Sequence, residues 1–323
     1  MRAVVVDAHG GPEVLRMRET PDPSPGPGEV RVAVEAAGVN FIDVYMRAGL
    51  YPAAPPFVPG QEAAGVVAEV GADVRDLVVG DRVGWASLPG GYAEQATIPA
   101  ERAVRLPGDV STRLAAAVLL QGMTAHYLIN DVGRVKSGDT VLVHAAAGGM
   151  GLLLTQMAKV RGARVLGTVS TDAKERMARD AGADEVIRYV ETDVADAVRD
   201  LTAGAGADAV FDGVGAPTFD ASLASLRPRG MLAIFGQAGG AVPPVDLQRL
   251  NAGGSLFVTR PKLADYIADR AELTARADAV LGAVASGKLS VHVGATFPMR
   301  DAARAHEMLE SRRSAGKLLL LNE

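Results

Sequence analysis

Residues 141–160, VLVHAAAGGMGLLLTQMAKV, change their period in the middle. A β-branched run ends at His144, and a long apolar run carrying Gln156 and Lys159 follows. Between them Gly148, Gly149 and Gly151 crowd together. A strand, a glycine-rich turn and a helix starting near Gly149 form the opening of a dinucleotide-binding βαβ unit. Glycines let backbone approach a pyrophosphate, whose charge then sits on the free N–H groups at the helix start. The expected contact set is Ala147, Gly148, Gly149, Met150 and Gly151. The fingerprint is imperfect, because the place of its first glycine is taken by Ala146. A mere tight strand-to-helix turn is the competing reading, and ARVLGTV, following at the right distance as a second strand, counts against it.

The end of that second strand selects the cofactor. An NAD site usually places an acid there for the ribose 2′-hydroxyl. This chain has Thr168, Val169, Ser170 and Thr171, with Lys174 one helical turn later. Hydroxyls plus a lysine suit a 2′-phosphate, so the expectation is NADPH. Asp172 is the objection: it is either the ribose acid or an ordinary acid at a helix N-terminus.

Strand-like runs alternate with helical segments from 124 to 261, the pattern of a parallel sheet with crossover helices. Residues 1–123 read instead as short strands divided by Gly and Pro, including the proline-rich loop YPAAPPFVPGQE at 51–62, which cannot be helical. Residues 262–323 hold two helical stretches and a final strand, KLLLL, expected to fold back and complete the first domain. The fold class is therefore α/β, with domains at 1–123 (completed by 262–323) and 124–261.

Cysteine is absent, which excludes disulfides, thiolate nucleophiles and Cys-ligated zinc. A net charge of −5 argues against a nucleic-acid partner. No run reaches the roughly 18 apolar residues of a membrane span, so a soluble cytoplasmic protein is expected.

GVNFIDVYMRAGLYP, VPGQEAAGVV, GDRVGWA, LLQGMTAHYL, HAAAGGMGL, FDGVG, FGQAGG, LFVTRPKL and ARAHEMLESRRSAGKLLL follow one another nearly end to end. In this the chain resembles the zinc-free quinone oxidoreductases, the zeta-crystallin-like branch of the medium-chain dehydrogenase/reductase superfamily. The resemblance implies a GroES-like β-barrel domain, a Rossmann doubly wound parallel sheet, a cofactor cleft between them, and a homodimer joined through Rossmann edge strands. Where zinc alcohol dehydrogenases carry a ligand cysteine this chain has Asn40, and for their Gly-His-Glu it has Gly60, Gln61 and Glu62. Zinc-assisted alcohol oxidation is not expected.

By motif, the resemblance places Asn40 near the nicotinamide, Thr124 in contact with the cofactor, Ser170, Lys174 and Tyr189 on the 2′-phosphate, and Phe235, Gly236 and Arg260 on the nicotinamide and pyrophosphate half. Arg188 stands where the family usually has asparagine, either adding charge near the phosphate or facing solvent, with solvent preferred. Tyr45, Arg47 and Tyr51 resemble substrate-cleft residues, and Asn40 and Tyr51 are the candidate donors to a developing oxyanion. Gln61 and Glu62 are read as holding loop backbone, Asp212 as a cofactor or turn residue, His144 as satisfying a strand end, and His306 as lying on a surface helix.

The function this implies is NADPH-dependent, zinc-independent hydride transfer to a quinone. A reductase of 2-alkenals and enones is the enzymatic alternative. A crystallin-like nucleotide-binding or RNA-binding protein is the non-enzymatic one, against which the acidic balance and the lack of a basic aromatic patch count.

Overall fold

A computed structural model describes residues 1–322 and divides the chain into two units, Met1–Met123 with Tyr266–Glu323, and Thr124–Asp265. Residues 262–265 therefore fall with the second unit. In chain order the first unit begins with β1 (Arg2–Val5), β2 (Arg16–Glu19), β3 (Glu29–Val39), α1 (Phe41–Arg47), β4 (Glu62–Val70), β5 (Arg82–Ala86), β6 (Gln95–Pro99) and β7 (Val104–Arg105). The helix α2 (Thr112–Tyr127) leads into β8 (Thr140–Val143), α3 (Gly149–Val160), β9 (Arg164–Val169), α4 (Asp172–Asp180), β10 (Glu185–Arg188) and α5 (Val194–Leu201). Then come β11 (Ala207–Asp212), α6 (Phe219–Ala224), β12 (Leu226–Ile234), α7 (Gln248–Ala252) and β13 (Phe257–Thr259). The tail supplies α8 (Arg270–Ala285), β14 (Val293–Pro298), α9 (Ala302–Glu310) and β15 (Lys317–Leu321).

In the second unit the strands run parallel in the order β10-β9-β8-β11-β12-β13. The chain starts at the sheet's centre, winds outward on one side, then crosses and winds outward on the other. Between β8 and β11 the winding reverses, and in such sheets ligands sit at the carboxyl ends of the strands beside that reversal. Leu142, Leu166, Val210 and Leu232 fill the core from successive strands, which is why these strands read as continuous apolar runs.

The first unit is a largely antiparallel seven-stranded sheet, β14-β15-β3-β4-β5-β7, with β6 also paired to β3. Register shifts at Arg31/Val32 and Val34/Ala36 break the β3–β4 ladder and bend the long strand β3. The last strand, β15, lies antiparallel to β3, with Leu318 opposite Val39. This brings the far end of the chain beside the residue that precedes Asn40. Trp85, Ile98, Val32 and Leu320 meet in this unit's core.

Candidate nucleotide-binding and active sites

The turn after β8 explains the missing glycine. Gly167 on β9 faces Ala146, and a Cβ built on Gly167 would lie 2.8 Å from the Ala146 methyl. The small residue demanded at that contact has been moved from one strand to its neighbour. Gly151 allows no such exchange: its Cβ would stand 2.3 Å from the Ala145 carbonyl oxygen and 2.6 Å from the Ala146 Cα. Gly148 caps α3 without a side-chain bond, so the first N–H groups of α3 receive no side-chain acceptor from the cap. Donors left in this way at a helix start are suited to an anion.

Beneath the turn, His144 Nδ1 lies 3.1 Å from Thr168 Oγ1, and His144 Nε2 3.0 Å from Ser222 Oγ. Ser222 donates to Asp212 Oδ2 at 2.8 Å, and Thr218 donates to the same oxygen at 2.7 Å. Asp212 Oδ1 accepts the N–H groups of Val214 and Gly215. With Ser222's one proton directed at the carboxylate, His144 must donate through Nε2, and burial favours the neutral ring, in which Nδ1 accepts from Thr168. Asp212 therefore serves the turn, since both of its oxygens are spent on protein donors. His144 satisfies the strand end, as expected, by tying β8 to β9 and α6.

The corner after β9 holds Ser170 and Lys174, both half-buried. Thr171 caps α4, its Oγ1 accepting the Lys174 N–H at 3.3 Å. Burial holds the Lys174 ammonium below the usual lysine range, a shift that a bound phosphate would reverse. Tyr189, beside Val169 at the end of β10, is 48% exposed. Arg188 does not simply face solvent as preferred above: it pairs with Asp172, with Glu191 at 3.1 Å and with Glu175 at 3.9 Å. Asp172 opens the first turn of α4 and is held by that guanidinium. Farther along the same strand ends, the Phe235 N–H bonds the Asp212 carbonyl, the Phe235 ring covers Gly213, and Arg260 reaches the Ile234 carbonyl at 3.0 Å. Gly236 packs against Gly213 with no room for a Cβ. Ala147, Gly148, Gly149, Met150, Gly151, Ser170, Lys174, Tyr189, Phe235, Gly236 and Arg260 thus share one edge of the second unit. Thr124, buried on α2, is this unit's first residue.

In the first unit, Asn40 follows β3 and caps α1. Its Oδ1 accepts from Lys317 Nζ at 2.7 Å and Gln121 Nε2 at 3.2 Å. Its Nδ2 donates to Glu62 Oε2 at 2.9 Å and to the Gly38 carbonyl at 3.3 Å. The amide orientation follows from chemistry, because an ammonium only donates and a carboxylate only accepts. Lys317 also bonds Glu62 Oε2 at 2.6 Å, while Glu62 Oε1 accepts the Leu120 N–H at 2.7 Å. Lys317 and Glu62 are both fully buried.

Two expectations are corrected here. Asn40 has no amide hydrogen left for an oxyanion, and Glu62 carries a buried ion pair besides its one bond to helix backbone. The positions that resemble those of the zinc-ligating cysteine and histidine hold two amides, Asn40 and Gln61, and the neighbouring Glu62 carboxylate is already neutralised by an ammonium. This donor set does not fit zinc, and among the described residues no cluster of three His, Cys, Asp or Glu is placed to hold a metal.

A third correction concerns Arg47. It is 2% exposed, forks onto both oxygens of Glu310 at 2.9 Å, and donates to the Gly10 carbonyl and to His306 Nδ1. An arginine consumed in this way is a strut between α1 and α9, unavailable to substrate. His306 is likewise fully buried and not on a surface face. Its Nε2 lies 3.1 Å from the Tyr92 hydroxyl, which also reaches Asp43 at 3.4 Å. Asp43 accepts the N–H groups of Asn40, Gly60 and Gln61, so it anchors the proline-rich loop to α1. Tyr45 is buried, its ring 5.1 Å from that of half-buried Tyr51. Lys317, Gln121, Asp43, Tyr92 and His306 were missed in the sequence. One signal was available: Lys317 opens an otherwise apolar strand.

These buried groups set a pH dependence. Burial, helped by Arg47, pushes His306 down to about 3, and burial lowers His144 against a weaker opposite pull from Asp212. Both imidazoles protonate near pH 6.5 once the chain unfolds. The unfolded state then binds more protons below that pH, and stability falls on acidification. Asp43 acts the other way, since burial raises it from 3.8 to about 6 and the folded chain takes up its proton first. Two histidines outweigh one carboxyl, so stability falls between pH 7 and pH 5. Thermal unfolding followed across that range checks this, and a flat or rising midpoint on acidification would contradict it.

Residues 26–108 match the alcohol dehydrogenase GroES-like domain family, and residues 149–268 match the zinc-binding dehydrogenase family. A quinone oxidoreductase of Escherichia coli, solved in complex with NADPH, superposes with a TM-score of 0.97 at 42% identity, covering 99% of this chain and 100% of that one. A mycobacterial protein complexed with NADPH gives 0.96 at 51% identity, covering 99% and 100%. A 2-haloacrylate reductase of Burkholderia is 43% identical over 327 residues, 99% of this chain and 98% of its own length.

Proposed function

The chain belongs to the zinc-free quinone oxidoreductase branch of the medium-chain dehydrogenase/reductase superfamily, and from that premise we propose that it reduces quinones with NADPH. The observation that carries the zinc-free chemistry is the buried Asn40–Glu62–Lys317 cluster. A quinone is electron-poor and accepts hydride without a Lewis acid, so proximity and orientation supply most of the acceleration.

NADPH, when bound, supplies the hydride from its nicotinamide. The chain's residues bind and orient it. The backbone of Ala147, Gly148, Gly149, Met150 and Gly151 and the start of α3 receive the pyrophosphate. Ser170, Lys174 and Tyr189 hold the 2′-phosphate. Thr124, Phe235, Gly236 and Arg260 serve the nicotinamide and pyrophosphate half. Asn40, its amide saturated, is a rigid wall element. Tyr51 is the remaining candidate donor to the reduced oxygen, and Tyr45 packs against it. Reduction of α,β-unsaturated carbonyls is the second reading, favoured by the 43% identity to a 2-haloacrylate reductase.

A homodimer joined at β13 is part of the proposal. That strand is an edge, and its Phe257 is 57% exposed. A cytoplasmic location is also proposed; among the described residues no helix is long and apolar enough to cross a membrane.

NADPH oxidation by the purified protein, with 1,4-benzoquinone and in parallel with trans-2-hexenal, each repeated with NADH, tests the assignment. Fast quinone turnover with NADPH is the expected result. Turnover of the enal alone would move the assignment to the second reading, and no turnover of either would sink both. Lys174→Ala should raise the KM for NADPH about tenfold, the worth of one charge-assisted hydrogen bond, and leave that for NADH nearly unchanged.

A further inference from the structure

We propose that Arg188 determines nucleotide specificity by masking Asp172, and that it does so without contacting the phosphate itself. The inference rests on the reading of Ser170 and Lys174 as the 2′-phosphate grip. Arg188 is the last residue of β10, paired in the parallel ladder with Val169, whose next residue is Ser170. The first turn of α4 carries Asp172 and Glu175 on either side of Lys174, and Glu191 follows one turn after Arg188.

Three carboxylates therefore crowd the place where a dianion is to bind, a pattern that by itself repels phosphate. It also offers the acid that NAD-specific sites use on the ribose 2′-hydroxyl. The Arg188 guanidinium lies among all three, bonded to Asp172, 3.1 Å from Glu191 and 3.9 Å from Glu175. Glu175 is shared with Arg179 at 2.9 Å, so the charge that Arg188 cancels belongs chiefly to Asp172 and Glu191. Asp172 is exposed and stands two residues from Ser170, whereas the backbone turn at 188–191 keeps Glu191 with Arg188. Arg188 thus performs two tasks: it cancels the field that would repel the phosphate, and it holds the carboxylate that would otherwise accept from a bare ribose. An asparagine at this position performs neither by charge.

Dissociation constants for NADPH and NADH, measured by fluorescence titration of wild type, Arg188→Ala, Asp172→Asn and the Asp172→Asn/Arg188→Ala double variant, test the proposal. Arg188→Ala should weaken NADPH binding roughly tenfold and leave NADH binding unchanged or tighter, as expected for unscreened carboxylates several ångströms from a dianion. The double variant should recover NADPH affinity to within about twofold of Asp172→Asn alone. Unchanged NADPH binding in Arg188→Ala would overturn the proposal. So would a loss that persists in the double variant, since Arg188 would then act other than by masking Asp172. A wild type with no preference for NADPH would instead overturn the phosphate-grip reading beneath it.

Discussion

Lys317→Met should lower the unfolding free energy by about 3–5 kcal/mol, the cost of leaving a buried charge without its partner. Glu62 has no exposure to solvent and cannot be rescued by water unless β15 or α2 shifts. Asn40 would lose the stronger of the two donors to its Oδ1, so the damage reaches the residue that joins β3 to α1. The paired variant Glu62→Gln/Lys317→Met tests the cause. A glutamine removes the orphaned charge; its one oxygen can accept from Leu120, and its amide nitrogen can donate to Asn40 Oδ1 once the Asn40 amide turns over, so much of the lost stability should return. Chemical denaturation of wild type, the single and the double variant measures this. If the double variant were as unstable as the single one, the loss would lie in packing around the lysine stem and not in the ion pair.

Gly151→Ala should reduce NADPH affinity at least 100-fold and destabilise the second unit by about 1–3 kcal/mol. The added methyl meets the Ala145 carbonyl and the Ala146 Cα, both main-chain atoms that no rotamer change can move aside. The start of α3 must then retreat from the turn, and the helix N-terminus no longer meets the pyrophosphate. Gly148→Ala supplies the contrast, because its Cβ would lie 3.2 Å from the Ala145 oxygen, a clash relieved by a few tenths of an ångström. Its φ of −76° is ordinary for alanine. Isothermal titration of both variants with NADPH should separate them clearly; equal losses would show that the approach of the ligand, not the packing of turn on strand, demands glycine at both places.

The second unit was legible in the sequence because its strands are buried on both faces and separated by short helices. Apolar runs such as VLVHA and ARVLGTV then announce strands directly. The helix α2 was not legible: TRLAAAVLLQGMTAHY is apolar almost all round, and a segment without a polar face shows no helical period. The two helical stretches of the tail were legible, though not where each one begins. The first starts only at Arg270, capped by Asp269, and the second runs Ala302–Glu310 after a short 3₁₀ turn. For the site, motifs led to the right backbone positions, yet not to what each side chain does there. Asn40 and Arg47 were read as facing substrate, whereas both are consumed by partners more than 250 residues away in the chain. No local pattern encodes such a pairing. Only the register of β15 against β3 delivers Lys317 to Asn40, and register across that separation is a property of the folded chain.

The lateness of β15 has a consequence for biosynthesis. The second unit is contiguous, and all of it has left the ribosome while the first unit still lacks its last strand. Glu62 is made 255 residues before the lysine that neutralises it. At about 5–20 residues per second, that interval lasts on the order of tens of seconds. Throughout it β3 has an open flank where β15 will pair, next to a carboxylate that has no counter-ion. The nascent chain therefore has its contiguous unit complete before the other one, and the arrival of β15 closes both the sheet and the charge balance in one step. A ribosome stalled just short of residue 317 would hold a chain whose first unit is open to proteolysis while its second is already resistant.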